Sequence, residues 1–180
     1  MSEIDLHQFC STDKNRPKLV SPFSRNEYTY ATNGHIIVRV PRRDDIQETA
    51  DAPNPTTLFD DAEPRMDYRP AIFPELPSYK STKIECFRCE GRGTEHDYPD
   101  CTCECIECGG DGFDEKEPAI YIGIDGVPFA LKYVIKIASL PNIQVGKAVP
   151  SGALPFRFDG GEGLLMPVHA NVGDIKVTTR

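Results

Sequence analysis

No stretch of this 180-residue chain approaches the roughly 18 to 20 consecutive apolar residues that a membrane helix needs, so a helical span is excluded. The first residues, Met1-Ser-Glu-Ile-Asp-Leu-His, carry no basic stretch followed by an apolar one, and no secretory leader is expected. The chain also lacks the motifs of common active sites. It has no Gly-x4-Gly-Lys-Ser/Thr phosphate loop and no Gly-x-Ser-x-Gly nucleophile elbow. There are only four histidines (His7, His35, His96, His169), and spacing singles out no pair of carboxylates. His35 lies beside a turn, where capping or packing explains it better than catalysis. The expectation is a protein that is not an enzyme.

Proline and glycine are plentiful instead, 16 and 14 residues, which disfavours a helical bundle and favours strands, turns and loops. Seven cysteines are present, six of them between Cys86 and Cys108. Without an export signal the default compartment is the reducing cytoplasm, and cysteines this dense then read as metal ligands before disulfides.

Charge divides the chain. Residues 84–118 hold eleven acids against three bases, a net −8, which equals the formal charge of the whole chain. Residues 1–43 sum to +3, 44–83 to −5 and 119–180 to +2. Any contact with nucleic acid would therefore come from the two ends, where phosphate attraction is available.

The clearest local signal is Glu27-Tyr-Thr-Tyr-Ala-Thr and His35-Ile-Ile-Val-Arg-Val flanking Asn33-Gly34, which predicts a tight β-hairpin ended by Pro41. A short helix is expected within 3–10 and a short strand at Lys18–Ser21. Residues 41–80 carry seven prolines and read as loop, with one helical turn near Thr57–Ala62. A strand is expected at Ala119–Ile124. A helix over Phe129–Leu140 would bury Leu131, Val134, Ile135 and Ala138, with Lys132, Lys136 and Ser139 on the other side. Strands follow at Ile143–Val149, Leu154–Phe158 and Gly163–Val168, with a tight turn at Gly160-Gly161. The order implies an α+β fold, mainly antiparallel sheet with few helices. Three parts are expected: one domain from 1–43 plus 119–180, a Pro-rich acidic connecting segment at 44–83, and a metal-binding hairpin at 84–118.

The cysteine spacing is Cys86-x2-Cys89, fifteen residues, then Cys105-x2-Cys108. Two such knuckles supply four thiolates to one tetrahedral zinc ion. Both continue alike, Cys86-Phe-Arg-Cys89-Glu-Gly91-Arg-Gly93 and Cys105-Ile-Glu-Cys108-Gly-Gly110-Asp-Gly112, each C-x-x-C-x-G-x-G. The glycines let backbone N–H groups turn toward the sulfurs. Four thiolates close the coordination sphere and leave no place for a reacting water, so the zinc is expected to be structural. His96, Cys101 and Cys103 remain, either for a partial second site or to exchange into the first. The repeat resembles the cysteine-rich zinc region of DnaJ-type co-chaperones. That family carries four such repeats and two zinc ions, and two repeats here imply one. No His-Pro-Asp tripeptide, the mark of a J-domain, is present.

Two further stretches, Tyr30-Ala-Thr-Asn-Gly-His-Ile-Ile-Val-Arg-Val and Phe129-Ala-Leu-Lys-Tyr-Val-Ile-Lys-Ile through Leu154-Pro-Phe-Arg-Phe to Gly163-Leu-Leu-Met-Pro-Val, resemble parts of bacterial sliding clamps, the processivity subunits of replicative DNA polymerase. The resemblance implies a single clamp-like domain, where a clamp has three per chain. It further implies DNA contact through Lys132 and Lys136, and a partner-peptide groove beside Met166, Pro167 and Val168. Arg39, Arg42 and Arg43 form a second basic patch. An ordinary solvated helix face is the commoner explanation of the lysines, and a plain edge strand that of Met166-Pro167-Val168.

These readings combine into one expectation. The chain would be a non-catalytic, zinc-binding accessory factor of DNA metabolism, with a clamp-like domain that binds DNA or partner peptides, has no membrane contact and is free to self-associate. The alternative is a zinc-dependent peptide-binding or chaperone-like module without DNA binding.

Overall fold

The structure, a computed structural model, describes residues 4–13, 15–48, 53–73, 75–78, 80–98, 101–116, 118–169 and 175–179. In chain order the strands and helices are β1 (Phe23–Arg25), β2 (Tyr28–Thr32), β3 (Ile36–Pro41), α1 (Thr56–Ala62), β4 (Arg69–Pro70), β5 (Thr82–Glu85), β6 (Thr94–Tyr98), β7 (Cys101–Glu104), β8 (Phe113–Lys116), β9 (Tyr121–Ile124), β10 (Val127–Ala130), α2 (Leu131–Ala138), β11 (Gln144–Val145), β12 (Leu154–Phe158), β13 (Gly161–Leu165) and β14 (Ile175–Thr179). The fold is α+β with mainly antiparallel sheet, as the element order predicted. No helix among the described residues is long and apolar enough to cross a membrane. The chain forms two compact units, a body of Met1–Leu76 with Ile120–Arg180 and a smaller unit of Pro77–Ala119.

The body is built on a seven-stranded sheet in the order β1-β2-β3-β13-β12-β11-β4. The β2–β3 hairpin forms where expected, but Asn33 and Gly34 divide the work. Gly34 alone takes a positive φ, +90°. The Asn33 side chain instead accepts the His35 and Ile36 N–H groups at 2.9 and 3.2 Å. Both faces of β3 are covered. Ile37, opposite Leu164, joins Phe23, Tyr30, Phe59 and Ala62 in one apolar cluster. Ile36, opposite Leu165, is fully buried as well, and the period-2 pleat points this pair the other way.

The segment 44–83, expected to be a connector, contributes to the body in two places. The seven-residue helix α1 covers a sheet face with Phe59 and Ala62. β4 pairs with β11 at the end of the sheet, where Pro70 costs no ladder bond. The body therefore continues to Leu76.

Several local expectations are corrected; the strands expected at Ile143–Val149 and Gly163–Val168, for example, run over Gln144–Val145 and Gly161–Leu165. Lys18–Ser21 is not a strand, because Pro17–Leu19 forms a 3-10 turn in which Leu19 N–H donates to Arg16 C=O at 2.9 Å. The helix expected from Phe129 begins at Leu131, because Phe129 and Ala130 complete a hairpin with Ile122 and Tyr121 around Asp125-Gly126. The buried set on α2 is Leu131, Tyr133, Val134 and Ile137, while Ile135 and Ala138 are only half-buried. Finally, β14 pairs in parallel with β9 beside β10, a small second sheet.

Arg39, one of the three arginines of the expected basic patch, is a packing residue. Its guanidinium lies 3.8 Å from the Phe59 ring centroid and 4.4 Å from that of Tyr28. Its Nε and Nη2 both donate to Glu162 Oε1, tying β3 to β13.

Candidate metal centre

In the Pro77–Ala119 unit the two knuckles are related by a repeat of nineteen residues that the tertiary structure turns into a pseudo-twofold. β5 precedes Cys86 and β6 follows Gly93, while β7 precedes Cys105 and β8 follows Gly112. β5 pairs with β8, and β7 pairs with β6. The register repeats too, since Glu85 faces Phe113 and Glu104 faces Thr94. Each knuckle thus closes on the strand that leaves the other. Cys86 N–H donates to Gly112 C=O at 3.0 Å, and Cys105 N–H to Gly93 C=O at 2.9 Å.

The glycines explain why this fold needs this motif. Gly93 and Gly112 have φ of +73° and +76°. A Cβ on Gly93 would stand 2.2 Å from the Gly110 oxygen, and one on Gly112 2.5 Å from that of Gly91. The two knuckles approach backbone to backbone, and no side chain fits there.

All four sulfurs of Cys86, Cys89, Cys105 and Cys108 lie within 4.8 Å of one another. Cys86 Sγ is 3.9 Å from Cys105 Sγ, and Cys89 Sγ is 3.7 Å from Cys108 Sγ. A tetrahedral ion with metal–sulfur bonds of about 2.3 Å requires S···S edges of about 3.8 Å. The donor set therefore fits one ion without rearrangement. Gly93 N–H donates to Cys89 Sγ at 3.3 Å, and Gly112 N–H to Cys108 Sγ at 3.2 Å. These N–H donors stabilise negative sulfur and hold its orientation. The Cys89 N–H, with that of Arg88, also holds the Cys86 thiol below its ordinary value. Cys86, Cys89 and Cys105 are 0% exposed and Cys108 is half-buried, so most of the donor set is shielded from water.

Two of the other cysteines, Cys103 and Cys10, are outside this group. Cys103 does not join the four-sulfur group, and its backbone faces Glu95, whereas His96 faces Thr102. The side chains of His96 and Cys101 fall outside the described residues. Cys10 is buried in the body, where desolvation pushes its thiol up to about 11, so it stays protonated and unreactive. Cys101→Ser should leave the metal content of the purified chain at the parent level. Loss of the ion from that variant, measured by elemental analysis, would place Cys101 in the coordination sphere and dismantle the assignment.

The basic residues expected at a DNA surface are engaged within the body. Lys136 Nζ donates to Gln8 C=O at 2.6 Å and is half-buried. Lys132 is also half-buried, its ammonium 5.3 Å from the Tyr133 ring centroid. Arg42 pairs with Glu48 at 3.0 Å, and Arg43 with Asp45 at 2.8 Å. Each of the four thus already meets a carbonyl, a carboxylate or an aromatic ring of the body. Met166 is 45% exposed and lines a cleft of about 540 Å³ together with Leu19, Leu58, Arg65 and Leu164. Pro167 and Val168 do not line it, and Val168 N–H donates to Pro128 C=O at 2.9 Å.

The knuckles also expose two apolar residues outside the set expected from the sequence. Phe87 and Ile106, each directly after the first cysteine of its repeat, are 78% and 75% exposed. Glu85 and Glu104 repeat as well, their side chains lying against Gly91 and Gly110. The signal was available, since an apolar residue fills the same slot of both repeats.

No protein-family profile, no curated protein and no solved structure matches this chain.

Proposed function

We propose that this chain is a non-catalytic zinc protein whose Pro77–Ala119 unit is folded by the metal and serves to bind a protein partner. One observation carries the reading: four cysteine sulfurs at tetrahedral spacing, backed by backbone N–H donors, three of the cysteines fully buried, in a unit whose buried apolar cluster among the described residues is those cysteines. Thiolate sulfur in a four-coordinate set selects zinc among the common divalent ions. The closed sphere has no position for an activated water, so the metal supplies folding energy rather than chemistry.

A protein partner is favoured over DNA because Lys136, Arg42 and Arg43 already meet a carbonyl or a carboxylate, and Lys132 sits over an aromatic ring. The zinc-loaded chain should not retard a linear DNA duplex in a low-salt gel. Retardation that fades steeply with added salt would overturn this choice. The sliding-clamp-like reading of the body stands as a second proposal. It is supported by Met166 at the cleft, beside the strand where that resemblance expects a partner peptide.

A further inference from the structure

We infer that the two knuckle tips form a docking surface for a basic segment of a partner protein, with Phe87 and Ile106 as the apolar anchors. This rests on the reading that a metal ion folds the knuckles.

Single exposed apolar residues are ordinary on protein surfaces. These two are distinguished by recurrence. The chain contains two copies of one motif, and their variable positions are an internal comparison. Arg88 in the first copy corresponds to Glu107 in the second, Glu90 to Gly109 and Arg92 to Asp111, so charge and size are free to change. The slot after the first cysteine alone among these keeps a large apolar side chain in both copies, and in both it is about three-quarters exposed. Neither contributes to a core, because the buried apolar cluster of this unit consists of the cysteines.

The anchors are also held in place. Each is bonded to a ligand cysteine, and the Sγ atoms of Cys86 and Cys105 are 3.9 Å apart. The turns beneath them are closed by Glu90 N–H to Cys86 C=O at 2.8 Å and Gly110 N–H to Cys105 C=O at 3.2 Å. A partner would meet two side chains on rigid backbone, which lowers the ordering cost of association.

Charge selects the partner. Glu85, Glu90, Glu104, Glu107 and Asp111 are all exposed, against Arg88 and Arg92. Arg92 is already paired with Glu90 at 3.5 Å. Four thiolates around one divalent cation add two more negative charges. A field of this sign steers a basic segment in and repels nucleic acid. It also disfavours a second copy, which would bring the same −8 segment against itself. The occupant is therefore a Lys- or Arg-rich segment carrying apolar side chains of its own.

The test uses the full zinc-loaded chain, its metal content measured first, and a fluorescent synthetic peptide of two Leu-Lys-Lys-Leu-Leu-Lys-Leu heptads. A second peptide has every Leu replaced by Ala, with charge unchanged. The parent should bind the Leu peptide at least about tenfold more tightly than the Ala peptide, and Phe87→Ala with Ile106→Ala should remove at least about tenfold of that affinity. The single variants Phe87→Ser and Ile106→Ser are read separately, so the surface is probed even if the double variant loses its metal. No preference of the parent for the Leu peptide, or metal-loaded variants that bind it as the parent does, would overturn the inference while leaving the zinc reading standing. A parent chain without zinc would overturn both.

Discussion

Cys105→Ser should abolish stoichiometric zinc binding and unfold the Pro77–Ala119 unit, while the body stays folded. The reason is what the unit lacks. Among its described residues the only buried ones are Cys86, Cys89, Gly93, Cys105 and Gly112. Its large apolar side chains, Ile84, Phe87, Ile106 and Phe113, are all exposed. Among the described residues, hydrophobic burial outside the cysteines does not offset the conformational entropy of ordering this unit. The metal must supply that free energy, and structural zinc in small knuckle domains contributes roughly 10–16 kcal/mol at neutral pH. Cys105 is 0% exposed and its Sγ faces that of Cys86, so a hydroxyl in its place removes one of four ligands from the centre of the unit. A strong chelator should reproduce the effect in the parent. Amide exchange followed residue by residue is the appropriate measurement. Protection should vanish along β5 to β8 and persist in β3, β12 and β13. Parent-level zinc in the variant would refute the ligand assignment. Loss of protection throughout the body would show that the unit is part of the main folding core.

Phe156→Ala should destabilise the body by about 3–5 kcal/mol without changing metal content. Phe156 is 0% exposed, on a strand flanked on both sides in the seven-stranded sheet. Its ring stacks with that of Phe158 at 6.2 Å between centroids. Directly across the ladder stands Gly163, and the ring occupies the space that a side chain there would need. A Cβ on Gly163 would come within 2.4 Å of Phe156 Cζ and 2.5 Å of the Ile37 oxygen. Truncation to alanine therefore opens a cavity beside a residue that has nothing to fill it with. The expected loss is a large share of the roughly 5–15 kcal/mol that stabilises a typical domain. Urea denaturation should show a lower midpoint with an unchanged slope. A loss under about 1 kcal/mol would mean that the core closes over the gap.

The parts of this protein legible in the sequence are those set by local chemistry. A cysteine knuckle is specified within eight residues, by its C-x-x-C spacing and by glycines that allow left-handed backbone, so the sequence already singles out the four cysteines whose sulfurs the structure brings within 4.8 Å of one another. The β2–β3 hairpin was equally local, carried by Asn33, Gly34 and their β-branched flanks. The Asp125-Gly126 turn had the same kind of signal, but the helical stripe beginning at Leu131 obscured it, because one apolar run serves strand β10 and then α2. Tertiary structure alone decided the rest. It turned α1 and β4, in a proline-rich stretch without periodicity, into a cover and an edge of the body sheet, and it paired β14 in parallel with β9. It also placed the Lys136 ammonium on the Gln8 carbonyl, 128 residues away in the chain, which helical periodicity cannot foresee. Hydrophobic pattern says which residues leave water. Which distant strand or carbonyl they then meet is decided by packing, and packing is a property of the whole chain.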